Sequence, residues 1–293
     1  MLRRCRHLLR VIEQDFETSK DGHLVIARRV AQERIVSLTD PSARHGRKSK
    51  SKTFNGFKIH VVGDIVSGLI ASVAVTAGNK HDGSVAHRLI RRATYLIDGI
   101  QQVLGDTAYG GASLRHRVTS ELGVSLVAPP PPVSAKATKG LPRSMFAVDF
   151  EAQTATCPAG VTTDDHRRVY YDAYKGTTSA FRWPTQCCLA CPKKQQCIGD
   201  RKSGRNLRLH PQEQQLREAR EQWKDPQVRE AYRKRSQCER LINQMTRHGG
   251  RRARSWGLGA AQLQAHLIAM RCNLQLLAKA LAKDACAGGG KSR

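Results

Sequence analysis

The chain has 293 residues, room for one large domain or two modest ones, and sets 50 Lys and Arg against 24 Asp and Glu for a formal charge of +26. That imbalance points to a polyanionic partner, nucleic acid first; the cations are spread through an ordinary apolar pattern, which weighs against a basic packaging tail or an anionic-membrane binder. No apolar run is long enough to span a bilayer, the first residues lack the core of a signal peptide, and nine cysteines in such a chain fit reduced thiols or a metal site, so a cytoplasmic protein is expected.

Residues 1–32 read as a helical segment. The β-branched stretch RIVSLT (34–39) reads as a strand ending at Asp40, followed by PSARHGRKSKSK, an exposed basic loop with no apolar anchor. Alternation predicts strands over 56–64 and 67–78, helical spacing predicts a helix over 84–97, and QQVLGD (101–106) reads as a short buried strand. A helix stopped by Gly123 and a strand over 124–129 complete the order β, β, β, α, β, α, β. Residues 129–215 break that rhythm with a run of prolines and a cluster of cysteines, and read as an insertion. Pro226 opens a run of good helix formers, residues 260–282 form a last, largely apolar helix, and 284–293 read as a frayed tail. The expected domains are thus 1–32, a catalytic domain split into 33–128 and 216–283, the insertion 129–215, and the tail.

This order is found in RNase H-like α/β folds, where a mixed five-stranded sheet is flanked by helices and the first and fourth strands are neighbours. Asp40 and Asp106, which lie 66 residues apart, would then meet at two strand ends. On the helix after Pro226, Tyr232, Arg235, Glu239 and Thr246 fall close to one stripe, since their offsets of 3, 4 and 7 return to the same side. Taken alone, Glu239 and Arg235 would be a solvated ion pair of little energetic weight. Asp64 and Asp82 compete with Asp40 as the first aspartate; Asp64 would end the second strand instead, and the simpler reading of Asp82 is a helix cap.

The segments TDPSAR, GFKIHVV, VTAGNKHD, VLGDTAYGG and YRKRSQCERLINQMTRHGGRRAR together resemble the catalytic domain of DDE transposases of bacterial insertion sequences, from about residue 33 to 283. The family signature of Tyr, two residues, Arg, three residues, Glu, six residues, Lys is matched at Tyr232, Arg235 and Glu239; Thr246 stands at the lysine position, with Arg247 beside it. The resemblance implies a catalytic triad of Asp40, Asp106 and Glu239 holding two Mg²⁺ ions, with Mn²⁺ as a substitute. The chemistry implied is metal-dependent cleavage at the ends of the element and attack of the freed 3′ hydroxyl on target DNA. It further implies a bacterial, nucleoid-associated protein and leaves room for a homodimer in the DNA complex. Relatives carry a helical DNA-binding region before the first aspartate, whereas 39 residues precede Asp40, so an N-terminally shortened transposase is expected. Arg44, Arg47, Lys48, Lys50 and Lys52 past the first aspartate, and Arg247, Arg251, Arg252 and Arg254 past the glutamate, are candidates for DNA phosphate contacts, as are Tyr232 and Arg235. Tyr109 is read as a packing or DNA-contact residue and not as a nucleophile.

Within the insertion, Cys157, Cys188, Cys191 and Cys197 form the candidate zinc set, the 188–191 pair having a familiar ligand spacing, with Cys187 as a spare. A set of reduced, unligated thiols is the competing reading. Cys5, Cys238, Cys272 and Cys286 are isolated, and His45, His60 and His81 have no ligand spacing. Two functional alternatives stand beside the transposase: a non-catalytic or decayed zinc-containing DNA-binding protein, and an RNase H-like nuclease without strand transfer.

Overall fold

The computed structural model describes residues 2–27, 33–49, 51–132, 140–172 and 176–288. The chain separates into two compact units, one made of residues 1–109, 117–127 and 230–293 and the other of 110–116 and 128–229.

The first unit opens with helix α1 (Leu2–Asp15) and a hairpin, β1 (Phe16–Thr18) with β2 (Leu24–Ile26). Among the described residues of the expected N-terminal helical segment, the helix runs only through Asp15, and 28–32 lie outside the described residues. The expected strand over 34–39 is irregular instead, because the backbone of Ile35 is satisfied locally: its N–H donates to Gln14 Oε1 at 2.9 Å and its carbonyl accepts from Gln14 Nε2 at 3.0 Å. The first strand of the antiparallel sheet lies in the segment expected to be a basic loop, at β3 (Arg44–Arg47). It pairs with β4 (Thr53–Gly63), and β4 pairs with β5 (Ile70–Ala77). A helix α2 (Ala86–Leu96), a strand β6 (Gln102–Leu104), a helix α3 (Ala112–Leu122) and a strand β7 (Ser125–Val127) follow, with β6 and β7 parallel. The order β, β, β, α, β, α, β is thus present with its first strand displaced. The strands form a three-stranded antiparallel ladder and a two-stranded parallel one, without a ladder joining the two.

The second unit holds two three-stranded sheets. One is β8 (Ala147–Asp149), β9 (Thr154–Thr156) and β10 (Thr162–Thr163); the other is β11 (His166–Tyr171), β12 (Gly176–Arg182) and β13 (Asn206–Arg208). Short helices α4 (Thr185–Leu189) and α5 (Lys194–Cys197) carry Cys187, Cys188 and Cys197, with Cys191 between them and Cys157 just after β9, and α6 (Glu213–Gln222) follows. Its core gathers Phe146, Ala155, Phe181, Trp183, Leu207 and Leu209, with Cys157, Cys188 and Cys197 packed against it.

The single helix expected after Pro226 is broken into α7 (Pro226–Arg233) and α8 (Ser236–Met245), and a wider π-type turn runs through Thr246–Gly250. Gly249 adopts φ 93° there, a left-handed conformation that favours glycine. The last helix, α9 (Leu258–Gly288), runs past the expected end at 282; residues 289–293 of the tail lie outside the described set.

The core of the first unit forms where β5 meets α8 and α9. Ile70, Val73 and Val75 pack with Leu241, Met245, Ala261, Ala265, Ile268, Ala269 and Cys272. The alanines on α9 let the helix lie close to the sheet. β5 ends its ladder, so one edge lacks a strand partner, and two amides of α9 occupy that edge. Asn273 accepts from the N–H of Ile70 at 2.8 Å and donates to its carbonyl at 2.9 Å; Gln262 accepts from the N–H of Val75 at 2.8 Å and donates to the carbonyl of Val73 at 3.3 Å. The amides act as surrogate strand residues and fix the register of α9 on the sheet.

Candidate active site

Asp106 follows β6 at the start of a short turn (Thr107–Tyr109) and accepts a bond from the N–H of Ala108 at 2.9 Å. That bond is the ordinary turn-forming role of an aspartate, and it occupies one carboxylate oxygen. Two phenols feel the carboxylate. Burial raises the pKa of Tyr109 far above the usual phenol range, and the charges of Asp82 and then Asp106 push it the same way. Burial also raises Tyr232, where the Arg235 guanidinium opposes the rise and Asp106 adds to it. Both tyrosines are therefore neutral hydrogen-bonding groups at physiological pH, in line with packing or DNA contact and against a nucleophilic role.

Tyr232 brings in the helical residues. The guanidinium of Arg235 lies over its ring, 5.8 Å from the centroid, and reaches Glu239 Oε1 at 3.5 Å across one helical turn. Although α7 and α8 are separate, Arg235 keeps helical backbone angles at the junction, so the i, i+4 geometry survives the break. Tyr232, Arg235 and Glu239 thus form a contiguous group with Glu239 largely exposed at its outer end, and the charge of Asp106 is felt at Tyr232. Thr246 sits in the π-type turn, its hydroxyl donating to the carbonyl of Ile242 at 2.8 Å, while Arg247 beside it is exposed.

Asp40 is held elsewhere. Its Oδ1 accepts from the hydroxyl of Ser42 at 2.6 Å and from the Ser42 N–H at 3.2 Å, and its Oδ2 accepts from the N–H of Gly257, just ahead of α9, at 3.0 Å. Burial pushes its pKa up, but these bonds together outweigh burial and keep it below the usual carboxylate value. Among the described residues, no group of three or more His, Cys, Asp or Glu side chains is arranged to hold a metal ion. The three acids expected to form a triad are therefore not gathered into one cluster.

Of the rival aspartates, Asp64 stands directly after β4, the second strand of the antiparallel sheet, as expected, while Asp82 departs from its expected role. Asp64 closes a turn by accepting from the N–H groups of Val66 and Ser67 at 3.0 and 2.9 Å. The cap assigned to Asp82 is made by His81, whose Nδ1 accepts from the N–H of Gly83 at 3.1 Å. Asp82 instead pairs with Lys58 at 2.8 Å, and its charge adds to the rise in the Tyr109 pKa. Beneath lies His60, a residue for which the sequence suggested no role. It is buried, its Nε2 is 2.9 Å from the hydroxyl of Thr76, and its Nδ1 is 3.4 Å from the Tyr109 hydroxyl. Lys58 and His60 alternate with apolar residues along β4, a period-2 signal that placed them on one face but could not name their partners.

The basic residues divide by use. Arg44 is spent internally, donating to Glu33 at 3.2 Å and to the carbonyls of Pro41 and Ala43 at 2.6 and 2.9 Å. Arg47, Lys48 and Lys52 are exposed around the hairpin between β3 and β4, and Arg251, Arg252 and Arg254 are exposed before α9. Lys50 lies outside the described residues.

The cysteines converge. A small cavity of about 30 Å³ is lined by Cys157, Cys187, Cys188, Cys191 and Cys197 together with Arg205. Burial pushes the Cys197 thiol up, Arg205 opposes this, and Cys188, Cys157 and Cys191 are near enough to add to the rise. Backbone N–H groups already point at two of the sulfurs: Arg205 to Cys188 Sγ at 3.3 Å and Lys193 to Cys191 Sγ at 3.4 Å. Gly140 (φ 110°) closes against the carbonyl of Cys197, a position where any side chain would collide. The described cysteines are free thiols, and Cys187 is exposed.

With this geometry in hand, the comparison with known families is informative. Residues 156–278 match the transposase DDE domain family. The matched stretch is less than half of the chain; it contains Tyr232, Arg235, Glu239 and the four candidate cysteines, and it begins after Asp106. It supports a transposase role and, with it, DNA as the partner. The chain matches no curated protein and no solved structure. No described helix is long and apolar enough to cross a membrane.

Proposed function

We propose that the chain is a DNA transposase of the insertion-sequence type, cleaving DNA at the ends of an element and joining the freed 3′ hydroxyl to target DNA. The observation that carries this is the family match over 156–278, which contains the Tyr232, Arg235, Glu239 signature. The negative charge of Asp106 raises the pKa of Tyr232 in that signature, which supports placing the two in one site. In this reading Asp106 and Glu239 are the acids of the site, Asp40 is the first aspartate, and the β6–β7 region belongs to an RNase H-like sheet. Carboxylate oxygens are suited to Mg²⁺, and divalent ions at such acids supply activation of the attacking oxygen and stabilisation of the leaving one. The donor chemistry of Asp106 and Glu239 fits, whereas the described acids form no ready metal-holding group and Asp40 is bonded to Ser42 and Gly257, so no step is assigned to Asp40. Arg235 holds Glu239 in place, and the exposed cations Arg47, Lys48, Lys52, Arg247, Arg251, Arg252 and Arg254 supply phosphate contacts. Arg44 serves the fold instead.

The thiol-lined cavity is assigned to zinc. Four cysteines line one small cavity and N–H groups directed at two of the sulfurs favour the thiolate form that zinc requires; since the described thiols are not arranged as a ready metal-holding group, the assignment rests on this donor chemistry and on rearrangement of the cysteines around the ion. One observation favours a second reading, a decayed DNA-binding protein that keeps the zinc unit: Asp40 is tied to Gly257 and no three-acid group is present among the described residues. An in vitro assay of cleavage and strand transfer on DNA flanking the gene separates the two. Mg²⁺-dependent joining supports the transposase, and DNA binding without cleavage supports the decayed form.

A further inference from the structure

Helix α9 is apolar on two opposite faces. One face, with Ala261, Ala265, Ile268, Ala269 and Cys272, is buried on β5. The other carries Leu263, Leu267, Met270, Leu274, Leu277 and Leu281, all between 50 and 70 % exposed. Their spacing is 4, 3, 4, 3, 4, an unbroken alternation that defines a coiled-coil seam. A helix that is apolar all round is normally buried all round, and among the described residues nothing covers this face.

We infer that the seam is the contact surface for a second copy of this chain, the two α9 helices packing side by side about a two-fold axis. The periodicity itself favours this occupant. A 3–4 alternation fits knobs into the holes of another helix with the same repeat, and a second copy supplies an identical one. The flanks agree: Gln264, His266, Asn273, Ala278 and Ala280 border the seam, and Arg271 is the one formal charge among these flanking positions. A chain of charge +26 is repelled by its copy, and a seam bordered by small and neutral residues lets two copies approach where the field is weakest. An anionic membrane surface would instead call for Lys and Arg along the borders of the apolar stripe.

The area is that of a small interface. A fully exposed leucine presents roughly 60–120 Å² of apolar surface, as its transfer free energy implies. The six half-exposed side chains therefore leave on the order of 200–450 Å² per chain, the size range in which an apolar patch on a monomer is commonly functional. Pairing two such faces removes on the order of 400–900 Å² of apolar surface from water before the flanking residues are counted, the apolar centre of a small interface. The seam is about 27 Å long at 1.5 Å per residue, and α9 is already held helical by the sheet, so association does not carry the cost of forming it.

This inference deepens the partner side of the proposed function by naming the surface, and it does not depend on catalysis. It is tested on the full chain in the absence of DNA and metal, by sedimentation velocity at about 10 μM protein. The wild-type chain is expected to sediment as a dimer. The Leu267→Lys, Leu274→Lys double variant should be monomeric, with dissociation at least about 100-fold easier, while keeping the wild-type circular dichroism and unfolding midpoint. Val66→Lys, at a 91 % exposed apolar position off the seam, should leave the dimer intact. A folded wild-type chain that remains monomeric at about 100 μM, or a double variant that still dimerises, overturns the inference. Failure of DNA cleavage in the same preparation bears on the transposase reading alone.

Discussion

Replacing Asn273 by alanine removes the two bonds that α9 makes to Ile70, and the cost follows from what is left behind. The N–H and the carbonyl of Ile70 lose partners at 2.8 and 2.9 Å, and Ile70 is 6 % exposed, so water does not readily replace them. An unsatisfied buried backbone group costs about 1–3 kcal/mol. Alanine returns about 0.6 kcal/mol through its better helix propensity. For the two groups the net loss expected is about 1.4–5.4 kcal/mol, equivalent to roughly a 10- to 10,000-fold change in the unfolding equilibrium. Hydrogen exchange reads it locally: protection of the Ile70 amide should fall by that factor, along with the stability of the first unit in urea. Asn273→Asp should be at least as damaging, since it keeps the acceptor for the N–H but sets an oxygen against the Ile70 carbonyl. Gln275→Ala, on the exposed side of the same helix, should change stability by less than about 0.5 kcal/mol. A loss below that size for Asn273→Ala would refute the role of the amide as a strand surrogate.

Three further outcomes are expected. Burial holds the pKa of His60 below the usual imidazole value, with Asp82 opposing and Lys58 assisting. The folded state then binds fewer protons than the unfolded state, so the contribution of His60 is complete above about pH 6.5 and is lost as pH falls towards the depressed value; urea titrations from pH 7.5 to 5.5 should show falling stability, and His60→Gln should flatten that dependence. Arg47→Ala should weaken DNA binding and lower the salt slope by about one unit, whereas Arg44→Ala should reduce stability and leave the slope unchanged; equal effects on the slope would reject the division between the two arginines. Purified protein should contain about one zinc per chain, and Cys191→Ser should lose it together with stability of the second unit; metal content below about a tenth of an equivalent in the wild type would leave the cavity as a set of packed thiols.

The order of strands and helices in the first unit was legible because period-2 and period-3.6 patterns in residues 53–127 are set by burial on one face, which acts locally. The first strand was misplaced for the opposite reason. RIVSLT has the composition of a strand, but a strand requires a neighbour, and the Gln14 amide satisfies Ile35 instead; RHGR has little strand character and is drawn into pairing by β4. The same limit governs the site. Spacing on a helix identified Arg235 beside Glu239, a local relation, and the Asp106 turn was visible in its own residues. The attachment of Asp40 to Gly257, 217 residues away, and the use of Gln262 and Asn273 to cover β5 are long-range hydrogen bonds with no periodic trace. The convergence of four cysteines was suggested by the 188–191 spacing, while the contribution of Cys157 depends on how β9 packs on the core.

The central claim is that Asp106 and Glu239 act on the same phosphodiester. The most direct measurement is Mg²⁺-dependent cleavage of labelled DNA carrying the ends of the element by wild-type, Asp106→Asn and Glu239→Gln proteins, with DNA affinity measured in parallel. Loss of cleavage by at least about 1,000-fold in each variant, the scale expected when a group essential to the transition state is removed, with affinity retained, is the predicted result. Full cleavage by both variants would contradict the assignment.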